Sequence, residues 1–162
     1  MHSRIFGIVE RDYYDKNIDK FDWELDYDDS LPGFADYINH DTDINQDFKW
    51  LVECLINKAD RSLIEVDNNV LTIKFKPGFK EAYFREKWAD LIKNLVGSPD
   101  SFEQFCGIKP TDFAYRCKKL LDEEYEFYTA DEYSDYSTLD EFIRHVKYDT
   151  EYVVFDSVDY HY

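Results

Sequence analysis

Basic side chains are scarce in this chain. It sets 19 lysines and arginines against 36 aspartates and glutamates, a formal charge of −17 at pH 7 over 162 residues. A protein that grips DNA or RNA directly needs a basic footprint that displaces counterions from phosphate, and net charge supplies none here. An anionic membrane surface repels such a chain too. Long apolar runs are also missing. No stretch could span a bilayer, and the N-terminal residues lack the apolar core of a signal peptide.

Paired cysteines are absent as well. Cys54, Cys106 and Cys117 are odd in number and form no C-x-x-C pair. Each sits in an apolar, helix-like context, so buried reduced thiols and a cytoplasmic location are expected. His2, His40, His145 and His161 are scattered without zinc-ligand spacing. There is no glycine-rich phosphate loop, no G-x-S-x-G and no nucleophilic Cys–His signature. Asp41-x-Asp43-x-Asn45-x-Asp47 resembles the first half of an EF-hand loop, yet Gln46 stands where its glycine must turn. Val52 takes the place of the bidentate glutamate, with Glu53 one residue late. A solvated turn and helix cap is the expectation there. So many carboxylates guarantee close pairs by chance, so acid pairs argue for no hydrolytic chemistry. No catalytic residue, metal or cofactor is assigned, and a binding protein is expected rather than an enzyme.

Apolar residues are plentiful. They make up 44% of the chain and aromatics 19%, which separates it from acidic disordered sequences and gives a single domain enough material for a core. The charge is segregated along the chain. Residues 1–48 carry 4 basic and 13 acidic residues, residues 49–119 carry 13 and 10, and residues 120–162 carry 2 and 13. Acid is loaded onto the two ends around a nearly ordinary middle.

Two acidic blocks stand out. In the first, Phe21, Trp23, Leu25 and Tyr27 alternate with Asp22, Glu24, Asp26 and Asp28, followed by Asp29. As a strand this presents an oily face and an acidic face. Its carboxylates would repeat every 6.6–6.8 Å, roughly the scale of phosphates along one DNA strand. A half-buried edge strand kept soluble by its charge accounts for the same pattern. The second block, 122–141, holds Asp122, Glu123, Glu124, Glu126, Asp131, Glu132, Asp135, Asp140 and Glu141 without one lysine, arginine or histidine. Tyr125, Tyr128, Tyr133, Tyr136 and Phe127 interleave with them. Tyrosine brings contact area at low entropic cost and carboxylates steer toward basic partners, so some of these tyrosines are expected to be exposed.

The remaining pattern implies strands at 3–10 and 151–160 and a hairpin of 63–66 with 70–75 across Asp67-Asn68-Asn69. Helices are expected at 47–59, 79–96, 101–106, 110–121 and from Ser137 or Thr138 to 147, with a short one at 34–40. Residues 11–20 read as loop. The expected fold is α+β, a single domain with a small, mostly antiparallel sheet formed by the terminal strands and the 63–75 hairpin, packed by four to five helices. Should the terminal strands adjoin, the blocks at 12–47 and 122–159 approach in space.

Small, aromatic-rich, very acidic chains of this kind resemble the DNA-mimic anti-defence proteins of phages and mobile elements, the antirestriction proteins and anti-CRISPRs. Residues Glu126-Phe127-Tyr128-Thr129-Ala130-Asp131-Glu132-Tyr133, with Tyr136-Ser137-Thr138-Leu139-Asp140-Glu141-Phe142, are similar to an antirestriction segment. That segment runs from an acidic-aromatic strand through Asp-Tyr-Glu to Glu-Tyr-x-Ser-Leu-x-Glu-Leu. The likeness covers less than a sixth of the chain, the spacing between its halves departs from the pattern, and the first 120 residues have no counterpart. It implies a class of mechanism: a stoichiometric inhibitor whose acidic face occupies the basic nucleic-acid channel of a restriction or CRISPR nuclease. The residues expected to bind are Asp22, Glu24, Asp26, Asp28, Asp29, Asp122, Glu123, Glu124, Glu126, Asp131, Glu132, Tyr133, Asp135 and Tyr136. The expected partner is a basic nucleic-acid-binding protein, with no direct nucleic-acid or membrane contact and a homodimer left open. An immunity protein against a nuclease toxin, and an acidic interaction domain without inhibitory role, are the alternatives.

Overall fold

The first and last strands of the chain form the centre of one sheet. A computed structural model describes residues 2–19, 33, 35–96, 127–131 and 135–161. In it β1 (His2–Glu10) runs antiparallel to β7 (Glu151–His161), from His2 opposite His161 to Glu10 opposite Tyr152. Both strands are rich in β-branched and aromatic residues and are buried on both faces for most of their length. On one side β1 pairs in parallel with β5 (Tyr128–Ala130), which turns back into β6 (Tyr136–Thr138). On the other side β7 is shared. Its start pairs with β4 (Thr72–Phe75) and its end with β2 (Tyr37–Asn39), and β4 carries β3 (Ile64–Asp67) beyond it. The result is a seven-stranded, mostly antiparallel sheet of an α+β fold.

Five α-helices are described: α1 (Arg11–Asn17), α2 (Ile44–Lys58), α3 (Phe79–Tyr83), α4 (Arg85–Val96) and α5 (Leu139–His145). Phe48, Leu51 and Leu55 recur at helical spacing on α2 and are buried with Phe79 and Tyr83 of α3 and Leu139 and Ile143 of α5. Against them the sheet presents Phe6, Ile8, Ile73, Phe75, Tyr152 and Val154. The opposite face buries Ile5, Ala130, Val158 and Tyr160, with Ile38, Tyr128, Tyr136 and Phe155 packed against them.

A bulge in β7 offsets the register once. Gly7 faces Asp156 while Ile8 faces Val154, leaving Phe155 as the extra residue. Its ring lies over Gly7, where a Cβ would stand 2.5 Å from Phe155 Cζ. Glycine is therefore needed at position 7 for space, and Gly78 for conformation, since its φ of +92° opens α3 after Pro77.

Three local expectations change. Residues 11–17 are helical rather than loop, held by an i,i+4 pair between Arg11 Nε and Asp15 at 2.9 Å and by Asn17 Nδ2 donating to the Tyr13 carbonyl. Residues 37–39 form a strand rather than a helix, because the end of β7 supplies a ladder partner that local pattern does not reveal. The helix expected over 79–96 breaks at Phe84. Tyr83 stays buried, but Trp88 is 62% exposed and Ile92 40%, so the second half is not a core element. The hairpin, the helix through 47–58 and the helix after Thr138 stand where expected, the last capped by Thr138 Oγ1 accepting from the Glu141 N–H. The acidic strand at 21–29 and the helices at 101–106 and 110–121 lie outside the described residues.

Candidate functional site

Strand direction decides where the acids meet. The parallel pairing of β1 with β5 aligns Gly7 with Ala130, so the chain beyond Ala130 leaves the sheet at the same end as Glu10. β7 begins there too, since Glu10 faces Tyr152. This end therefore collects Glu10, then Asp12 and Asp15 on α1, Asp131 and Asp135 in the β5–β6 connection, and Asp149 and Glu151 before and at the start of β7. Neighbouring strands lie about 4.8 Å apart, so β7, β1, β5 and β6 hold these groups along one rim. Acid from both ends of the sequence is thus brought together.

The connection that carries Asp131 and Asp135 is ordered by its own hydrogen bonds. The Asp135 N–H donates to Asp131 Oδ1 at 3.1 Å, and the Asp131 N–H to the Asp135 carbonyl at 3.3 Å. Asp135 is exposed and Asp131 half-buried. Tyr136, which opens β6, and Tyr128 are half-buried against the Ile5–Val158–Tyr160 cluster. Their rings serve the core and only part of each reaches solvent. Cations stand at this end too, among them Lys74, directly opposite Glu151 on β4, and Arg11 and Lys147. Lys147 Nζ sits 2.5 Å from Glu10 Oε1, and this hydrogen bond holds the ammonium above its ordinary value. Arg11 is likewise raised, by its hydrogen bond to Asp15. Asp22, Glu24, Asp26, Asp28, Asp29, Asp122, Glu123, Glu124, Glu126, Glu132 and Tyr133 lie outside the described residues.

Two carboxylates counted in the acidic blocks have structural duties instead. Asp47, in the first turn of α2, is 1% exposed and accepts from Arg4 Nε at 2.9 Å and from Ser157 Oγ at 3.0 Å. Asp140 is buried at the start of α5, where Lys87 Nζ donates to its Oδ2 at 2.5 Å. A lysine from the middle of the chain thus neutralises one acid of the second block. Neither Asp47 nor Asp140 can face a partner.

The far end of the sheet, about 30 Å away along the eleven residues of β7, carries a different cluster. Arg4 reaches both Asp47 and Asp159, and its guanidinium lies 5.2 Å from the centre of the exposed Trp50 ring. Thr42 Oγ1 donates to the Ser157 carbonyl at 2.7 Å. One row further out, Tyr37, His161 and His2 stand side by side on three strands, with Tyr37 stacked on His161. Sequence reasoning missed this cluster because its members lie up to 159 positions apart and only strand pairing unites them.

The segment that suggested an EF-hand folds as a helix start. Asp43 caps α2, its Oδ1 accepting from the Asn45 and Gln46 N–H groups, and Asp47 is committed to Arg4. Among the described residues no three histidine, cysteine, aspartate or glutamate side chains gather as a metal-holding group. No described helix is long and apolar enough to cross a membrane. Comparison with protein-family models, with curated proteins and with solved structures finds nothing that matches this chain.

Proposed function

We propose that the protein is a stoichiometric inhibitor that offers a DNA-like acidic surface to the basic nucleic-acid channel of a cytoplasmic restriction or CRISPR nuclease. The observation that carries this is the rim. Parallel pairing of β1 with β5 brings Glu10, Asp12 and Asp15 to the same sheet end as Asp131, Asp135 and Glu151. Carboxylates gathered at one end of a sheet present a concentrated negative surface of the sign a phosphate-binding channel accepts, and a net charge of −17 steers it toward basic proteins. Binding would exclude DNA by competition, with no catalytic step.

Immobilised protein, challenged with a bacterial lysate, should retain a basic nucleic-acid-binding protein. Duplex DNA and salt should both displace it. A variant carrying Asp12→Lys and Asp135→Lys, which spares the Asp131 carboxylate that orders the connection, should fold normally and retain far less of it. Capture that duplex DNA does not compete away, or that the double variant preserves, would refute the proposal.

A further inference from the structure

The sheet end opposite the acidic rim holds a pair of histidines, each with a carboxylate beside its Nδ1. His2 and His161 are direct cross-strand partners at the seam of β1 and β7, with ring centres 5.2 Å apart and planes at 68°. Each imidazole has a carboxylate at Nδ1: Asp159 Oδ2 lies 2.8 Å from that of His2, and Asp36 Oδ2 lies 3.4 Å from that of His161. A carboxylate at one ring nitrogen fixes the tautomer and leaves the other nitrogen as a lone-pair donor, as behind metal-bound histidines. Aromatic packing alone would be met by two phenyl rings and asks for no carboxylate behind either.

We propose that His2 and His161 form a two-imidazole site for a late first-row divalent cation, Zn2+, Ni2+ or Cu2+, bound through their Nε2 atoms with water completing the coordination. The spacing fits. With metal–nitrogen bonds of about 2.0–2.1 Å and a ring centre roughly 1.1 Å behind each nitrogen, donor angles between 90° and tetrahedral put the ring centres about 4.5–5.2 Å apart. Charge selects a cation over an anion. Asp36 and Asp159 stand against the two imidazoles, with Arg4 also on Asp159, on a chain of −17. Imidazole donors select transition metals over Ca2+ and Mg2+, which prefer oxygen. The carboxylates act behind the rings rather than as ligands, so no three-donor group is required. A bound ion would clamp the first strand to the last. This site is independent of the proposed inhibitory rim, and its loss would leave that rim intact.

Calorimetric titration of the chelator-treated full chain with ZnCl2 at pH 7.5 tests the assignment. One saturable equivalent is expected, weakened at least about 10-fold by His2→Gln or by His161→Gln, and about 10-fold by Asp36→Asn, which alters only the group behind His161. Binding should fade toward pH 5.5 as protons compete for the imidazoles, and excess Mg2+ should not displace the Zn2+. In the unaltered protein, substoichiometric Cu2+ should broaden the ring resonances of His2 and His161 before those of His40 and His145. Absence of saturable Zn2+ binding, binding unchanged when His2→Gln and His161→Gln are combined, or equal broadening of all four histidines would overturn it.

Discussion

Removing the carboxylate of Asp47 should be one of the most damaging single changes at the surface between α2 and the sheet. Asp47 is 1% exposed and holds two donors, Arg4 Nε at 2.9 Å and Ser157 Oγ at 3.0 Å. Truncating one member of a buried ion pair costs about 3–5 kcal/mol, because the other charge is left without compensation. Arg4 is better placed than that limit. Its side chain is 18% exposed and keeps Asp159, so Asp47→Ala should cost about 2–3 kcal/mol. Asp47→Asn keeps the shape and an acceptor for Ser157 but drops the charge, and about 1–2 kcal/mol is expected. Arg4→Met supplies the cycle: the double variant with Asp47→Ala should be less destabilised than the sum of the two singles by about 1–2 kcal/mol. Urea unfolding followed by tryptophan emission measures all four proteins, and Trp50, which carries the Arg4 guanidinium, gives a local signal. Costs that add within about 0.3 kcal/mol would show that the pair does not act as a unit, and the account of this end of the sheet would be wrong.

Further outcomes follow from single contacts. Gly7→Ala drives a Cβ to within 2.5 Å of the Phe155 ring and should destabilise by about 1–3 kcal/mol, with Phe155→Leu in the same chain recovering part of the loss in a denaturant titration. Thr138→Ala removes the cap of α5 and should cost about 1 kcal/mol, read as a lowered Tm. Tyr152 is held above its ordinary value of 10.0, chiefly by burial. Tyrosine in the unfolded chain therefore ionises first, so the stabilisation is complete below pH 10 and is lost as pH rises toward the native value. Tyr152→Phe should flatten the alkaline limb of a stability–pH profile. It should also cost about 1 kcal/mol at neutral pH, through the lost acceptor for the Lys147 N–H.

The parts of the fold that repeat a pattern locally were legible. Runs of β-branched and aromatic residues at both termini, the Asp67-Asn68-Asn69 turn and the spacing of Phe48, Leu51 and Leu55 each encode an element within a dozen residues. Elements defined by a distant partner were not. β2 and β5 have three residues each and exist because β7 and β1 offer them a ladder. Helix α1 buries nothing and is held by surface pairs, so it carries no apolar stripe to read. The break at Phe84 hid inside a helical stripe, since Trp88 and Ile92 keep the spacing of a buried face while standing exposed. Of the site, the sequence showed which blocks were acidic. Assigning Asp47 and Asp140 to structural pairs needed Arg4 and Lys87, which lie 43 and 53 positions away.

That redistribution sharpens what the net charge can mean. Carboxylates buried against their own cations contribute to folding and nothing to recognition, so under the proposed inhibition the described acids that meet a partner are those at the rim. Lys147 then becomes the informative residue, because it is the cation that partly masks Glu10 there. Its side chain is 68% exposed, and exposed pairs of this kind carry little stability. Lys147→Ala should therefore leave the unfolding midpoint nearly unchanged while making the rim more negative. If the rim is the docking surface, a basic partner captured by the unaltered protein should associate with this variant faster, by about two- to five-fold at low salt, with the advantage vanishing in high salt. Damage to an interface predicts the opposite sign, so an association rate that stays level or falls would move the binding surface away from this end of the sheet.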